Sequence, residues 1–352
     1  MKKVVSLTLA LILALTLFSV SAAAEGMPDI TIRYGVLSML NISEEEIISY
    51  MIAGWNSAVQ MAKADTTKSN VSDAPLAART VMPKNVCIYY DTLDAMLMAL
   101  NAGEISSMIV GNTVADDLCS TNDQLVKSFT SGNADEENFY SALITDTFST
   151  QNFSFMLMQG SEALRDEFSA AIADIRADGT LDQLVADHID AAIAGKDIAP
   201  VEMPIIDGAE TVRVAITGSL PPMDYIVPDG TPAGFNTALL AEISKRIGKN
   251  IKLVQVDSQG RAAALSSGAV DAVFWTRTND ASNVLAELTD EEYKTRMSEE
   301  EAAALERIMG LIDLAGIGKY DLPDGTIITD SYYADTIVPV VSKNLVNAIR
   351  GQ

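Results

Sequence analysis

Short apolar runs alternate along this chain with stretches whose apolar residues recur every three or four positions. This pattern predicts strands alternating with helices, an α/β fold. In the second half, Val212 to Ile216 reads as a strand, followed by the Pro221-Pro222 turn, Tyr225 to Val227 and an Asp229-Gly230 turn. Leu239, Leu240, Ile243 and Ile247 then mark one face of a helix from Asn236 to Ile247, which Gly248 stops. Ile251 to Val256 is the next strand, Arg261 to Ser267 a short helix closed by Gly268, and Val270 to Trp275 a further strand.

The first half holds a matching unit: a helix from Asp91 to Leu100, a stop at Gly103 and a strand from Ile105 to Val110. Ala99-Leu100-Asn101-Ala102-Gly103-Glu104-Ile105 parallels Ala264-Leu265-Ser266-Ser267-Gly268-Ala269-Val270, suggesting two related α/β lobes. Phe168, Ala171, Ile172 and Ile175 lie on one face of a helix from Arg165 to Ile175. Asp178-Gly179 breaks it and Leu181 to Ile189 resumes. Gly195, Pro200, Pro204 and Gly208 make 194–209 the clearest linker, and 283–320 reads as a charged helical insertion.

The amino terminus changes the expected location. Lys2 and Lys3 precede an uncharged apolar run from Val4 to Val20, and Ala22-Ala23-Ala24 offers small residues before Glu25. This is the pattern of a secretory leader cleaved near Ala24. The run is shorter than the roughly 20 apolar residues of a membrane span, so a soluble periplasmic or extracellular protein is expected. The formal charge is −24, and removing Lys2 and Lys3 with the leader leaves −26. Such a field repels nucleic acid and anionic membranes. A mature chain of roughly 330 residues exceeds what one core usually supports, so two lobes are expected. Cys87 and Cys119 could pair in an oxidising compartment or stand as thiols. No zinc pattern or cofactor motif is present, and the single histidine, His188, reads as a surface residue.

Three blocks resemble the bacterial extracellular solute-binding proteins, family 3, of the amino-acid type. They are Val212 to Gly248 with its Pro221-Pro222, Asp229-Gly230 and Gly234-Phe235; Ala264 to Val273 with Leu265, Gly268 and Val270-Asp271; and Leu164 to Ile189 with Ala177-Asp178-Gly179-Thr180-Leu181. Asp91 to Ala115 matches more loosely. The resemblance implies a two-lobed periplasmic-binding-protein-like II fold with a central interlobe cleft. The order of the blocks differs from the family's. The economical reading is a circular permutation, with two truncated tandem copies as the rival. It gives a lobe-two-like domain over 28–145, closing helices over 146–193 that pack on lobe one, the 194–209 linker, and a lobe-one-like domain over 210–345. Ser331-Tyr332-Tyr333 leads into Thr336 to Val341, resembling the strand that crosses to the second lobe, and 30–37 could be the first strand of that lobe.

In such a fold a ligand lies at strand carboxyl ends and helix N-termini, where donors converge. The resemblance places Met223, Asp224, Tyr225, Trp275, Arg277, Thr278, Asn112 and Thr113 at the cleft. Tyr225 and Trp275 could be aromatic walls, Trp275 equally a core side chain. Arg277 could meet the ligand or an internal partner. The family's carboxylate-gripping Arg would fall near Asn283, and its amine-pairing Asp at Gly111. Its clamp aromatic is Met223 here, and the acid after Gly-Phe is Asn236. A buried zwitterion without charged partners would carry a large desolvation penalty. A neutral or less charged solute is therefore expected. The function so implied is capture of a small polar molecule, amino-acid-like or other, for an ABC-type permease. A sensor or a degenerate ligand-free module is the alternative. An enzyme such as a dehydratase is the weaker one, since Asp224 is the sole acid placed at the cleft.

Overall fold

The computed structural model describes residues 31–44, 47, 84–127, 150–277, 299 and 323–345. The leader expected over 1–24, the insertion over 283–320 except residue 299, Thr278 and Asn283 lie outside the described residues. Among the described residues no helix is long and apolar enough to cross a membrane.

The architecture is α/β. Strands β1 (Thr31–Leu37), β2 (Lys84–Tyr90) and β3 (Ser107–Gly111) run parallel in the order β2-β1-β3. Strands β4 (Leu125–Lys127), β5 (Thr150–Met158), β6 (Thr211–Ile216), β7 (Ser219–Leu220), β8 (Asp224–Ile226), β9 (Pro232–Ala233), β10 (Asn250–Gln255), β11 (Ala272–Arg277), β12 (Thr326–Ile328) and β13 (Tyr333–Ser342) follow. The second parallel set is β10-β6-β11, the same order of second, first and third strand. Each set continues into an antiparallel strand: β13 beside β3, then β4, and β5 beside β11, then β12. β7, β8 and β9 form a small sheet of their own.

β13 joins the two sets into one ten-stranded sheet. Its residues Tyr333 to Thr336 pair with Phe153 to Thr150 of β5, and Ile337 to Val340 pair with Gly111 to Met108 of β3. Phe153 also pairs with Arg277, the last residue of β11. The carboxyl ends of β3 and β11, which run in opposite directions, therefore converge on residues 333–337 of β13.

The helices are α1 (Leu93–Ala102), α2 (Asn112–Thr121), α3 (Glu162–Ala177), α4 (Thr180–Leu184), α5 (Ala191–Ile193), α6 (Phe235–Ile247) and α7 (Arg261–Ser266), with a π-helical turn at Val185–Asp190. Thr92 caps α1 by accepting from the Ala95 amide, and Gly103 closes it at φ 73°. The two steps matched in sequence are closed alike. Gly103 N–H donates to Leu100 O and Glu104 N–H to Ala99 O; Gly268 N–H donates to Leu265 O and Ala269 N–H to Ala264 O. Each chain then joins its sheet through one bond, Ser106 N–H to Arg33 O and Asp271 N–H to Arg213 O, both 2.8 Å.

Parallel strands covered on both faces should be apolar throughout, and β3 is buried along its whole length. Gly35 lets α1 lie close on β1, since a Cβ there would stand 2.8 Å from Met96. Helix α3 buries Phe168, Ala171, Ile172 and Ile175, the face that the spacing predicts. Phe168 meets Phe155 edge-on at 5.3 Å, and Phe155 meets Tyr332 at 4.7 Å, fixing α3 beneath β5. α3 and α4 also pack on α6. The stretch 194–209 follows the body of the second set: Val201 N–H donates to Pro232 O, and the Asn250 side chain bridges the backbone of Ile206. Cys87 and Cys119 are not joined in a disulfide. His188 is half-buried rather than on the surface.

Candidate functional site

The region where β3, β11 and β13 meet brings together side chains from both strand sets and from β13. β8 begins with Asp224, which follows the buried Met223. Asp224 is fully buried and accepts from the Thr217 amide at 2.9 Å, the Gly218 amide at 2.8 Å and the Thr217 hydroxyl at 3.0 Å. Burial pushes its pKa up to about 7 against the pull of these donors and the Arg261 charge. Its oxygens hold the turn after β6 in shape.

Gly234, at φ 99°, brings the start of α6 onto this turn, and a Cβ there would lie 2.6 Å from Met223 O. The first amides of α6 are taken by the chain, Phe235 N–H by Pro222 O and Asn236 N–H by Met223 O. The Asn236 side chain is buried, and its amide finds no partner among the described residues. Tyr225 is half-buried. Burial and the nearby Asp117 carboxylate of α2 both push its hydroxyl above the ordinary value. An element of the first set thus lies near one of the second.

Two arginines tie the segment after β1 to the second set. The turn Ser38–Leu40 packs against β11 with Met39 and Leu40 buried. Arg277, 6 % exposed, donates to Gln151 Oε1 and to Asn41 O, each at 3.0 Å. Arg261, 8 % exposed, donates to Phe274 O and to Met39 O, each at 2.9 Å. Ser258 adds a bond to Asp91 O at 3.0 Å. Trp275 lies in β11 where the register with β5 shifts between Val273 and Thr276, so simple alternation is interrupted there.

The opposite wall starts at α2. Asn112 is half-buried, donating to Asp116 at 3.0 Å and accepting from Lys127 at 2.9 Å; Lys127 also pairs with Asp116. Thr113 is buried. Its amide donates to Asp335 Oδ2 at 3.1 Å, and its hydroxyl shares a 2.7 Å hydrogen bond with that of Tyr333. The Tyr333 ring lies 5.1 Å from Phe235 of α6. Asp335, 7 % exposed, also accepts from the Thr336 amide at 2.9 Å, and burial pushes its pKa up to about 6.

The expected residues fall on both sides of this junction: Met223, Asp224, Tyr225, Trp275 and Arg277 in the second set, Asn112 and Thr113 in the first. Asp335, Arg261 and Gln151 are additions. A carboxylate inside an otherwise apolar strand is a signal that could have singled out Asp335. Among the described residues no three His, Cys, Asp or Glu side chains are placed to hold a metal ion.

Comparison with known proteins gives three results. Residues 212–287 match the family model of bacterial extracellular solute-binding proteins, family 3. No curated protein matches the chain. Among solved structures, the zinc-bound ligand-binding component of an ABC-type import system from Staphylococcus aureus is 11 % identical, with TM-score 0.36, covering 91 % of this chain and 71 % of that one. The periplasmic aliphatic sulphonate binding protein SsuA of Escherichia coli is 11 % identical, with TM-score 0.34, covering 92 % and 69 %. The VFT2 domain of Bordetella pertussis BvgS is 11 % identical, with TM-score 0.36, covering 91 % and 84 %. Through the 212–287 segment that carries β6, α6 and β11, the chain is similar to the bacterial extracellular solute-binding proteins, family 3.

Proposed function

We propose that this protein is an extracytoplasmic solute-binding protein that captures a small polar molecule between two lobes for an ABC-type importer. The observation that carries this reading is the convergence of two parallel strand sets, with their carboxyl ends meeting at residues 333–337 of a shared strand. Strand ends and helix N-termini are where open α/β sheets bind ligands. The match over residues 212–287 supports the same reading.

In this proposal Asn112 and Tyr225, both half-buried, face the solute. Met223, Asp224, Thr113 and Arg277 shape the walls from behind. The lobes are 28–145 and 210–345, the second completed by the helices of 146–193. The β5–α3 segment precedes β6 in the chain yet sits beside β11, and this favours circular permutation over two truncated copies.

The test is to extract the folded protein, identify small molecules that co-purify, and titrate them calorimetrically beside the standard α-amino acids. Micromolar binding of a neutral or cationic solute, with none of the α-amino acids binding tightly, is the expected result. Submicromolar binding of an α-amino acid would sink this choice of solute. A second reading, a ligand-free or sensing module, is favoured by the Arg261 and Arg277 bonds, which connect the two sets directly. In its ligand-free form no solute is recovered and none binds, whereas a sensing module still binds its ligand.

A further inference from the structure

We infer that Asp335 is a built-in occupant of the anion-binding end of helix α2, so that the wall formed by α2 accepts neutral or cationic solute groups and excludes carboxylates and phosphates. The inference rests on the solute-binding reading for the solute class, while the occupancy itself stands on geometry. The start of a helix presents free N–H groups and the positive end of its dipole, a natural seat for an anion. In α2 that seat is filled by the protein. Asp335 Oδ2 lies 3.1 Å from the Thr113 amide, and Oδ1 is held by the Thr336 amide at 2.9 Å.

Gly111 makes the arrangement possible. A Cβ at this position would lie 2.6 Å from Asp335 Oδ2, so a side chain there would force the carboxylate to shift. The carboxylate therefore stands where a side chain from position 111 would begin, delivered instead from the neighbouring strand, on which Ile337 pairs with Gly111. The residue is fixed from the side as well, since Thr113 Oγ1 and Tyr333 Oη hold each other at 2.7 Å. Nearby charges reinforce the exclusion. Asp116 stands close enough to raise Asp335, and Lys127 is engaged by Asp116 and Asn112. A second anion brought here would meet carboxylates and a helix end whose Thr113 amide is already donated.

The test compares the full chain with Asp335→Gly and Asp335→Asn by thermal melting in sodium formate and in sodium chloride at equal ionic strength. Asp335→Gly is expected to melt lower in chloride and to recover by several degrees in formate, which refills the vacated seat. The unmodified chain and Asp335→Asn, whose amide oxygen still accepts from Thr113, are expected to show no formate-specific shift. Absence of recovery in the glycine variant, or an equal formate shift in the unmodified chain, overturns the inference. Should Asp335→Gly fail to fold in either salt, Gly111→Asp/Asp335→Gly returns a carboxylate from the adjacent strand. Its folding supports the inference and its failure overturns it. Formate recovery in a protein from which no solute is recovered leaves the occupancy standing and removes the solute-binding reading.

Discussion

The guanidinium of Arg277 donates to the backbone oxygen of Asn41, 236 positions earlier in the chain, at a distance of 3.0 Å. With its second bond to Gln151 Oε1, this places a buried cation between the end of β11, the start of β5 and the turn after β1. Such an arginine holds segments of the fold together.

Arg277→Ala is accordingly expected to lower the stability of the solute-free protein. Bonds from a charged group are worth about 1.5–3 kcal/mol in total stability. At about 2.1 cal/mol/K per residue, each kcal/mol moves the melting midpoint of a chain this long by about 1–2 °C. Thermal melting of the purified variant reads this directly. An unchanged midpoint together with a 10- to 150-fold loss of affinity, roughly the same energy expressed in binding, would assign Arg277 to the ligand instead.

Arg261 and Arg277 reach the same short segment, Met39 to Asn41, from two elements of the second set. Replacing both by Ala should loosen the contact between sets more than either change alone. The expected signature is a larger radius of gyration by small-angle scattering with an unchanged far-ultraviolet spectrum. A double variant as compact as the parent would show that apolar burial of Met39 and Leu40 suffices.

Gly111 and Asp335 form a coupled pair. Gly111→Ala alone should destabilise, because the new Cβ meets Asp335 Oδ2. In an Asp335→Gly background the same change should be close to neutral. A double-mutant cycle by denaturant unfolding should give an interaction energy of about 0.5–3 kcal/mol, the range for residues in contact. Additive effects would mean that Asp335 simply swings away.

The two buried carboxylates predict an acid-shifted stability optimum. Asp224 and Asp335 hold their protons up to about 7 and about 6 in the folded state, through burial, against an ordinary value of 3.8. The folded state therefore binds more protons than the unfolded one between these limits. Their contribution is complete below the ordinary carboxylate range and is lost as pH rises through about 6 and 7. Asp271 works in the opposite sense: burial raises it, but the bonds and charge of Arg213 outweigh this and hold it low. Its contribution fades only as pH falls below the ordinary range. Melting at about pH 5 should thus exceed melting at about pH 8, and Asp224→Asn with Asp335→Asn should flatten the difference.

The helices and the repeated unit were legible because their punctuation is local. Gly103, Gly248 and Gly268 each sit in the left-handed region at the end of a helix whose apolar spacing is complete. The register of β13 was only partly legible. Its onset was placed at Thr336, yet pairing starts at Tyr333, where the long-range partner is β5 rather than anything nearby in sequence. Asp335 is marked in the sequence only as a carboxylate beside an apolar run, and its role is not, because the amide it accepts from lies 222 residues away. The partners of Arg277 and Arg261 include backbone carbonyls, which every residue possesses, so no side-chain pattern at Met39 or Asn41 could announce them.

The position of β13 in the chain also dictates the order in which the molecule can be finished. β4 pairs only with β13 among the described strands, and the outer edge of β3 stays open until β13 arrives. The half of the sheet synthesised first is thus completed by the strand synthesised last among those described. A ribosome-bound chain halted before residue 333 can assemble β5, β6, β10, β11 and β12 but leaves its amino-terminal strands with an exposed parallel edge. Closure of the sheet thus waits on the last of these strands, and such long-range pairing makes for slow assembly.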